Sequence, residues 1–292
     1  MDLRRVLFVG GNAQKMASVQ IRCVDVAKRL GCAYHLCARR AHEVPEGYDA
    51  FVCVKAELLL DEYALLARRG KIIWDIIDVP PPREHIAAYL ASNSLTQELF
   101  EDYGRVEVIP HYHCNFTGRP NPANLRRPVW LGAQHWQPHL TGFEYDAYAV
   151  EGLRRAEVVR IFRKTGIGLN LRIPRTQYDP PRRFAKIADP VQRAKTLRDF
   201  FEFHLAVNSG IKLINCLGFG IPSISSDEPA YREFAPECTI FSTLKNVAKN
   251  VRALQEDDAL YRNLRKKCLK RTADWVRRRF ARDIEYFGYE FE

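Results

Sequence analysis

The sequence predicts an α/β protein built from two consecutive parallel-sheet units, and three observations carry that prediction. Short runs of buried-type residues, such as Arg5–Val9, Ala50–Val54 and Lys71–Asp78, alternate with stretches of helical periodicity. That spacing is what parallel strands joined by right-handed crossovers require. A segment rich in Gly, Pro and Asn, Phe116–Arg127, then interrupts the alternation, and a fresh strand, Pro128–Gly132, starts straight after it. The chain has 292 residues, 47% of them hydrophobic, enough for two modest cores. The division falls into a first unit over residues 1–115 and a second over 126–273.

In the first unit, Arg5–Val9 reads as a buried strand closed by the turn Gly10, Gly11 and Asn12. Val19, Ile21, Val24, Val26, Ala27 and Leu30 give the helix that follows. A glycine turn at the C-terminal end of the first strand is where open α/β sheets take their ligands, although the G-x-G-x-x-G spacing is absent. Strands over Tyr34–Ala38 and Ala50–Val54 come next, then a helix over Glu57–Arg69 closed by Gly70. Lys71–Asp78 is a strand running into Pro80–Pro82. Asp75, inside it, reads as a strand residue with a local partner. Asp78, at its end, is placed for chemistry or for capping the turn. Ala91–Ser94 leads into a helix over Leu95–Tyr103 and a strand closed by Pro110. His111, His113 and Cys114 follow, but His-x-His needs further ligands that are not nearby, so no metal site is predicted. His111 reads as a residue that contacts a phosphate, serves as a base, or is held structurally.

In the second unit, Pro128–Gly132 is followed by Gln134, His135 and Trp136, and Gly142–Thr165 reads as a helix with Leu153, Ala156, Val159 and Phe162 on one face. A strand begins the run Gly166–Arg175, which carries Arg172 and Arg175, and a basic, proline-rich segment, Tyr178–Lys195, separates it from an aromatic stretch over Leu197–Ala206 that includes His204. Asn208–Glu233 then reads as a loop, a helix, a glycine stop, a short buried strand and a second helix start at Glu233. Ser209 and Gly210 offer backbone N–H groups to a ligand, and Lys212 falls in the first helical turn, where ammonium and positive dipole add. Such an end suits a diphosphate. Gly218 and Gly220 end the helix. Cys238–Phe241 is a further strand, with helices over Leu244–Leu254 and Ala259–Thr272 and an amphipathic tail from Asp274 that carries Trp275, Phe280, Ile284 and Phe287.

The Lys212–Glu233 region resembles the donor-site signature of GT-B glycosyltransferases, which reads roughly P-S-K-hydrophobic-hydrophobic-E-Y-x-A-x-G-x-P-V-I with an acid some ten residues later. Lys212, Gly220, Pro222 and Glu233 fall on matching positions. Asn215 stands where that family carries its ribose-binding acid, and Val207 where the first glutamate of the E-x7-E pair would be. Lys71–Asp78 looks like the Y-D-x-x-D strand of one branch, and Ala91–Pro110 resembles the end of the family's N-terminal domain, with His111-Tyr-His in place of N-G.

The resemblance implies a GT-B fold: two Rossmann-like domains whose parallel sheets face a cleft, the first for the acceptor and the second for the donor. A C-terminal helix, here 274–292, crosses back to the first domain. It implies a nucleotide-sugar donor, a UDP-sugar first among them, with no metal or other cofactor required. Lys212, with Ser209 and Gly210, would hold the diphosphate, and His135, or Arg172 and Arg175, would replace the family's usual cations. Asn215 and Glu233 would complete the donor side, while Gly10, Gly11 and Asn12 would face sugar or acceptor. An inverting reaction needs a base, Asp78 first and His111 second; a retaining one needs no separate base.

A formal charge of +10 favours an anionic partner such as a nucleotide diphosphate, nucleic acid or an anionic membrane surface, beside the plainer reading of a basic surface without a dedicated partner. The hydroxyl acceptor is accordingly expected on DNA with hydroxymethylated bases, a glycan or a lipid-linked glycan. A non-catalytic nucleotide-sugar or nucleic-acid binding protein of the same fold is the alternative. Eight cysteines without a C-x-x-C pair read as reduced, buried thiols of a cytoplasmic protein. No run of eighteen apolar residues exists and no signal peptide is read, so membrane contact would be peripheral, through the basic side of the tail around Lys266, Lys267, Lys270 and Arg271.

Overall fold

The computed structural model describes residues 2–13, 17–77, 81–109, 119–150, 152–173, 199–208 and 210–280, apart from the side chains of residues 17, 135 and 275–280. The chain forms two compact units. One comprises Met1–His111 with Ala206–Ser209, the other Tyr112–Leu205 with Gly210–Glu292.

Among the described residues the first unit holds six parallel strands: β1 (Val6–Gly10), β2 (Ala33–Leu36), β3 (Ala50–Val54), β4 (Lys71–Asp75), β5 (Ala88–Ala91) and β6 (Val106–Val108), in the order β2-β1-β3-β4-β5-β6. β1 and β3 are buried along their whole length, which is why their sequences are unbroken apolar runs rather than alternations. β2, at the edge, leaves Tyr34 exposed. The helical stretch 17–30 passes through wide π-type turns at Gln20–Asp25 and stops at Gly31, whose φ of 69° makes a left-handed cap. Its Val19, Cys23 and Ala27 pack on Val6, Phe8, Val52 and Val54.

Two of the boundaries that differ from the sequence reading have a visible cause. The helix expected from Glu57 starts at Glu62, because Lys55 turns left-handed (φ 47°) and Glu62 spends its carboxylate on the Ala41 N–H at 2.8 Å and on Arg40 at 3.0 Å. β4 ends at Asp75, whose side chain turns to Arg22. Asn93 caps the helix Ser94–Phe100 by accepting from the Thr96 N–H at 2.8 Å. Its amide donates to the carbonyls of Ala206 at 3.0 Å and Asn208 at 2.9 Å, which ties that short return of the chain into the first unit.

Among the described residues the second unit holds five parallel strands: β7 (Pro128–Gly132), β8 (Asp146–Ala149), β9 (Ile167–Asn170), β10 (Ser223–Ser225) and β11 (Thr239–Phe241), in the order β11-β10-β9-β7-β8. Trp130, Leu169, Ile224, Val251, Leu254, Tyr261 and Leu264 form its main core. The single helix read over Gly142–Thr165 is instead strand β8 followed by the helix Arg155–Lys164. Gly142 and Gly152, at φ 86° and 81°, break the backbone on either side of the strand. The break expected after Thr272 is absent as well. Asp258–Phe280 is one helix, and the Thr272 hydroxyl donates back to the Cys268 carbonyl at 2.9 Å within it. Residues 281–292 of the predicted terminal helix lie outside the described residues.

Numbered from its own first strand, each sheet runs 2-1-3-4-5, a doubly wound order, extended by a sixth strand in the first unit. The order reverses between β1 and β3 in the first unit and between β7 and β9 in the second.

Candidate functional site

In a doubly wound sheet the crossover helices change face where the strand order reverses, and a crevice opens there at the C-terminal ends of the two strands. In the second unit that place is the end of β7, Gly132. A Cβ on Gly132 would lie 2.6 Å from Lys212 Nζ and 2.7 Å from Trp130 Cζ2, so only glycine lets the ammonium approach the strand so closely. Lys212 is half-buried in the first turn of the helix Ile211–Gly218, and its Nζ sits 5.3 Å from the centroid of the Trp130 ring. Trp130 is fixed in turn, its indole N–H donating to the Leu171 carbonyl at 2.9 Å.

The helix start depends on Gly210. Its φ of 66° is left-handed, and a Cβ there would meet Phe234 at 2.6 Å. The Gly210 carbonyl accepts from the Ile214 N–H at 3.1 Å, and the preceding N–H groups form the positive end of the helix. Lys212 also borders a cavity of about 20 Å³ with Asn170 and Cys216. Burial pushes the Cys216 thiol up to about 12, so it is a packing group rather than a nucleophile.

Arg172 stands two residues beyond β9. Its backbone N–H donates to the Ser226 hydroxyl at 3.1 Å, and its guanidinium lies 3.1 Å from the carboxylate of Glu228, an ion pair not aligned as a hydrogen bond. The guanidinium also lies 5.0 Å from the centroid of Trp136. Trp136 packs on Phe201 at 5.6 Å and on His204 at 6.3 Å. Among the described residues, Lys212, Arg172 and a helix N-terminus bring positive charge to the C-terminal edge of β7, β9 and β10, against the buried carboxylate of Glu228, with aromatic surface beside it. Such an edge can hold a dianion such as a diphosphate.

Among the residues singled out from sequence, Lys212, Gly210 and Arg172 fall on this edge of the sheet. Asn215 lies one turn further along the same helix and is 5% exposed. Glu233 is not at a helix start. Pro229 opens that helix earlier, and Glu233 is exposed in its last turn. The acid at the helix start is Glu228, 1% exposed, which sequence reasoning missed. Its signal was an acid directly before a proline that starts a helix. Ser209, Asp78, His111 and Arg175 lie outside the described residues, as does the side chain of His135.

In the first unit, Gly10, Gly11 and Asn12 end β1 at the reversal point between β1 and β3. Gly10 is a packing glycine, since a Cβ there would meet Val19, Cys23 and Leu36 within 2.8–2.9 Å. Gly11 donates its N–H to the Val54 carbonyl at 3.4 Å, and Asn12 is half-buried. Near the same edge Arg22 grips Asp75 through two contacts, at 2.5 and 2.9 Å, and donates to the Ile109 carbonyl at 2.7 Å. The pair is sealed, with side chains 5% and 2% exposed. Burial pushes the Asp75 carboxyl up against the pull of Arg22. The local partner expected for Asp75 is thus Arg22.

No protein-family model and no curated protein matches the chain.

Proposed function

We propose that the chain is a GT-B-type glycosyltransferase that moves a sugar from a nucleotide-sugar donor, a UDP-sugar first among them, to a hydroxyl acceptor. The observation that carries this reading is the placing of Lys212. It lies at a helix N-terminus, pressed on Gly132 at the reversal point of a doubly wound sheet, with Arg172 on the neighbouring strand end. Negative charge grows on the leaving diphosphate as the glycosidic bond breaks. Lys212, Arg172 and the helix N–H groups would be in place to stabilise it before the reaction begins. Asp78, with His111 as second choice, remains the proposed base of an inverting reaction. The basic chain favours an anionic acceptor, whether DNA with hydroxymethylated bases, a glycan or a lipid-linked glycan.

A thermal-shift screen against UDP, GDP, ADP, dTDP and CMP, with Lys212→Ala alongside, tests the donor site. A nucleotide at a hundredfold excess over its Kd stabilises the fold by about 2.7 kcal/mol. The expected outcome is a shift with one nucleotide that disappears in the variant. If none of the five nucleotides shifts the melting curve, the reading fails. Asn215 and Val207, standing where the family carries acids, favour a second reading, a binding protein without turnover. Donor binding without release of nucleotide diphosphate in the presence of acceptors would select it.

A further inference from the structure

A second cavity lies in the first unit. It is an open groove of about 490 Å³ at the N-terminal ends of β4 and β5, lined by Ala67–Ile72 and His85–Ala87. Arg68 and Lys71 are exposed on its wall, and among the described residues neither side chain has an ion pair or hydrogen bond. His85 also lines the groove, in a left-handed conformation, φ 68°, one of three such non-glycine residues among those described. A left-handed histidine costs backbone energy, and residues held in this way concentrate at binding sites. The acid nearest to His85 is Glu84, whose carboxylate lies 3.9 Å away and is 89% exposed. No acidic residue lines the groove itself.

The backbone offers the groove little. The N–H groups of Arg69 and Gly70 donate to the Leu66 carbonyl, Lys71 N–H to Asp49, and Ala87 N–H to Ile72. Arg69 directs its guanidinium away, donating to the carbonyls of Ala41, Val44 and Pro45. Recognition therefore falls on the side chains of Arg68, Lys71 and His85. One guanidinium fork, one ammonium and one imidazole are the donors that suit a phosphate group. We infer that this groove, at the N-terminal edge of the first unit's own sheet, binds a phosphate-bearing anion. The source is a free phosphate compound or a phospholipid headgroup. Leu65, 46% exposed and one turn before Arg68, the residue that caps its helix, would lie against the lipid in the second case.

The test is run in a Lys212→Ala background, so that the proposed nucleotide site does not contribute and its failure remains separate. Inorganic phosphate is titrated calorimetrically, and vesicles of phosphatidylcholine with and without phosphatidylglycerol are co-sedimented with the protein. Saturable binding of phosphate supports the free-ligand source. Binding only to the anionic vesicles supports the headgroup. In either case Arg68→Gln and Lys71→Gln should each weaken binding roughly tenfold. His85→Gly relieves the backbone strain, so it should keep the melting temperature while weakening the same binding. No binding of either probe, or an unchanged affinity in the Arg68→Gln/Lys71→Gln double variant, overturns the inference.

Discussion

The two units share a topology and use it differently. Each places a glycine at the last position of its first strand, Gly10 in β1 and Gly132 in β7, beside the point where the strand order reverses. At Gly10 the missing side chain makes room for Val19, Cys23 and Leu36, and the space becomes core. At Gly132 it makes room for the Lys212 ammonium over the Trp130 ring. Each unit also sets an arginine on a carboxylate near this edge. Arg22 and Asp75 are sealed, whereas the Arg172 side chain stays 14% exposed over Glu228. The strand order fixes where a ligand can sit, and the charge that the neighbouring helix delivers decides whether the place can hold one.

The hardest test of this contrast is to remove the arginines. Arg22→Ala leaves the Asp75 carboxylate buried without compensation and should cost about 3–5 kcal/mol in urea unfolding. Arg172→Ala should cost less, because Glu228 keeps its place at the start of the helix Pro229–Phe234, and should instead abolish the proposed nucleotide-induced shift. If Arg172→Ala destabilised more than Arg22→Ala, the division into a structural pair and a ligand-facing pair would be wrong. The glycines give a smaller effect. Gly10→Ala overpacks the first unit and should cost about 1–3 kcal/mol with nucleotide affinity unchanged. Gly132→Ala presses on both Trp130 and Lys212, so it should lose affinity as well as stability; equal affinities for the two variants would remove the distinction.

The smallest effect is expected in acid. The N–H of Ala41 holds the Glu62 carboxyl below its ordinary value of 4.5, with help from Arg40. A folded value below the unfolded one means that this stabilisation is present above pH 4.5 and is lost as pH falls through the folded value. Melting temperatures followed downward from neutral pH should therefore drop less steeply in Glu62→Gln than in the parent. Parallel curves would show that Glu62 contributes nothing to acid sensitivity.

Much of the sheet architecture was legible because buried parallel strands leave unbroken apolar runs. Pro128–Gly132 and Ala50–Val54 carry the same limits in sequence and structure. β8 was missed because Asp146–Ala149 is a short strand at the sheet edge, half-buried in part, with no apolar run to mark it. At the site, Gly210 and Lys212 were readable from a glycine ahead of a helical period. The place of Glu228 at a helix start was readable from the proline after it, but its pairing with Arg172 was not, since that residue is far away in sequence and brought near only by the pairing of β9 with β10. The π-type turns at Gln20–Asp25, which carry Arg22, leave no local signature either.

The amide of Asn93 has a consequence for how the chain is made. A ribosome completes all six strands of the first unit by Val108, yet the carbonyls that Asn93 grips belong to Ala206 and Asn208. By then β7, β8 and β9 of the second unit have also been synthesised. These two hydrogen bonds of the first unit can therefore form only after those strands have been made. A nascent chain stalled before Ala206 would carry an N-terminal unit with a complete sheet and an unlatched Asn93.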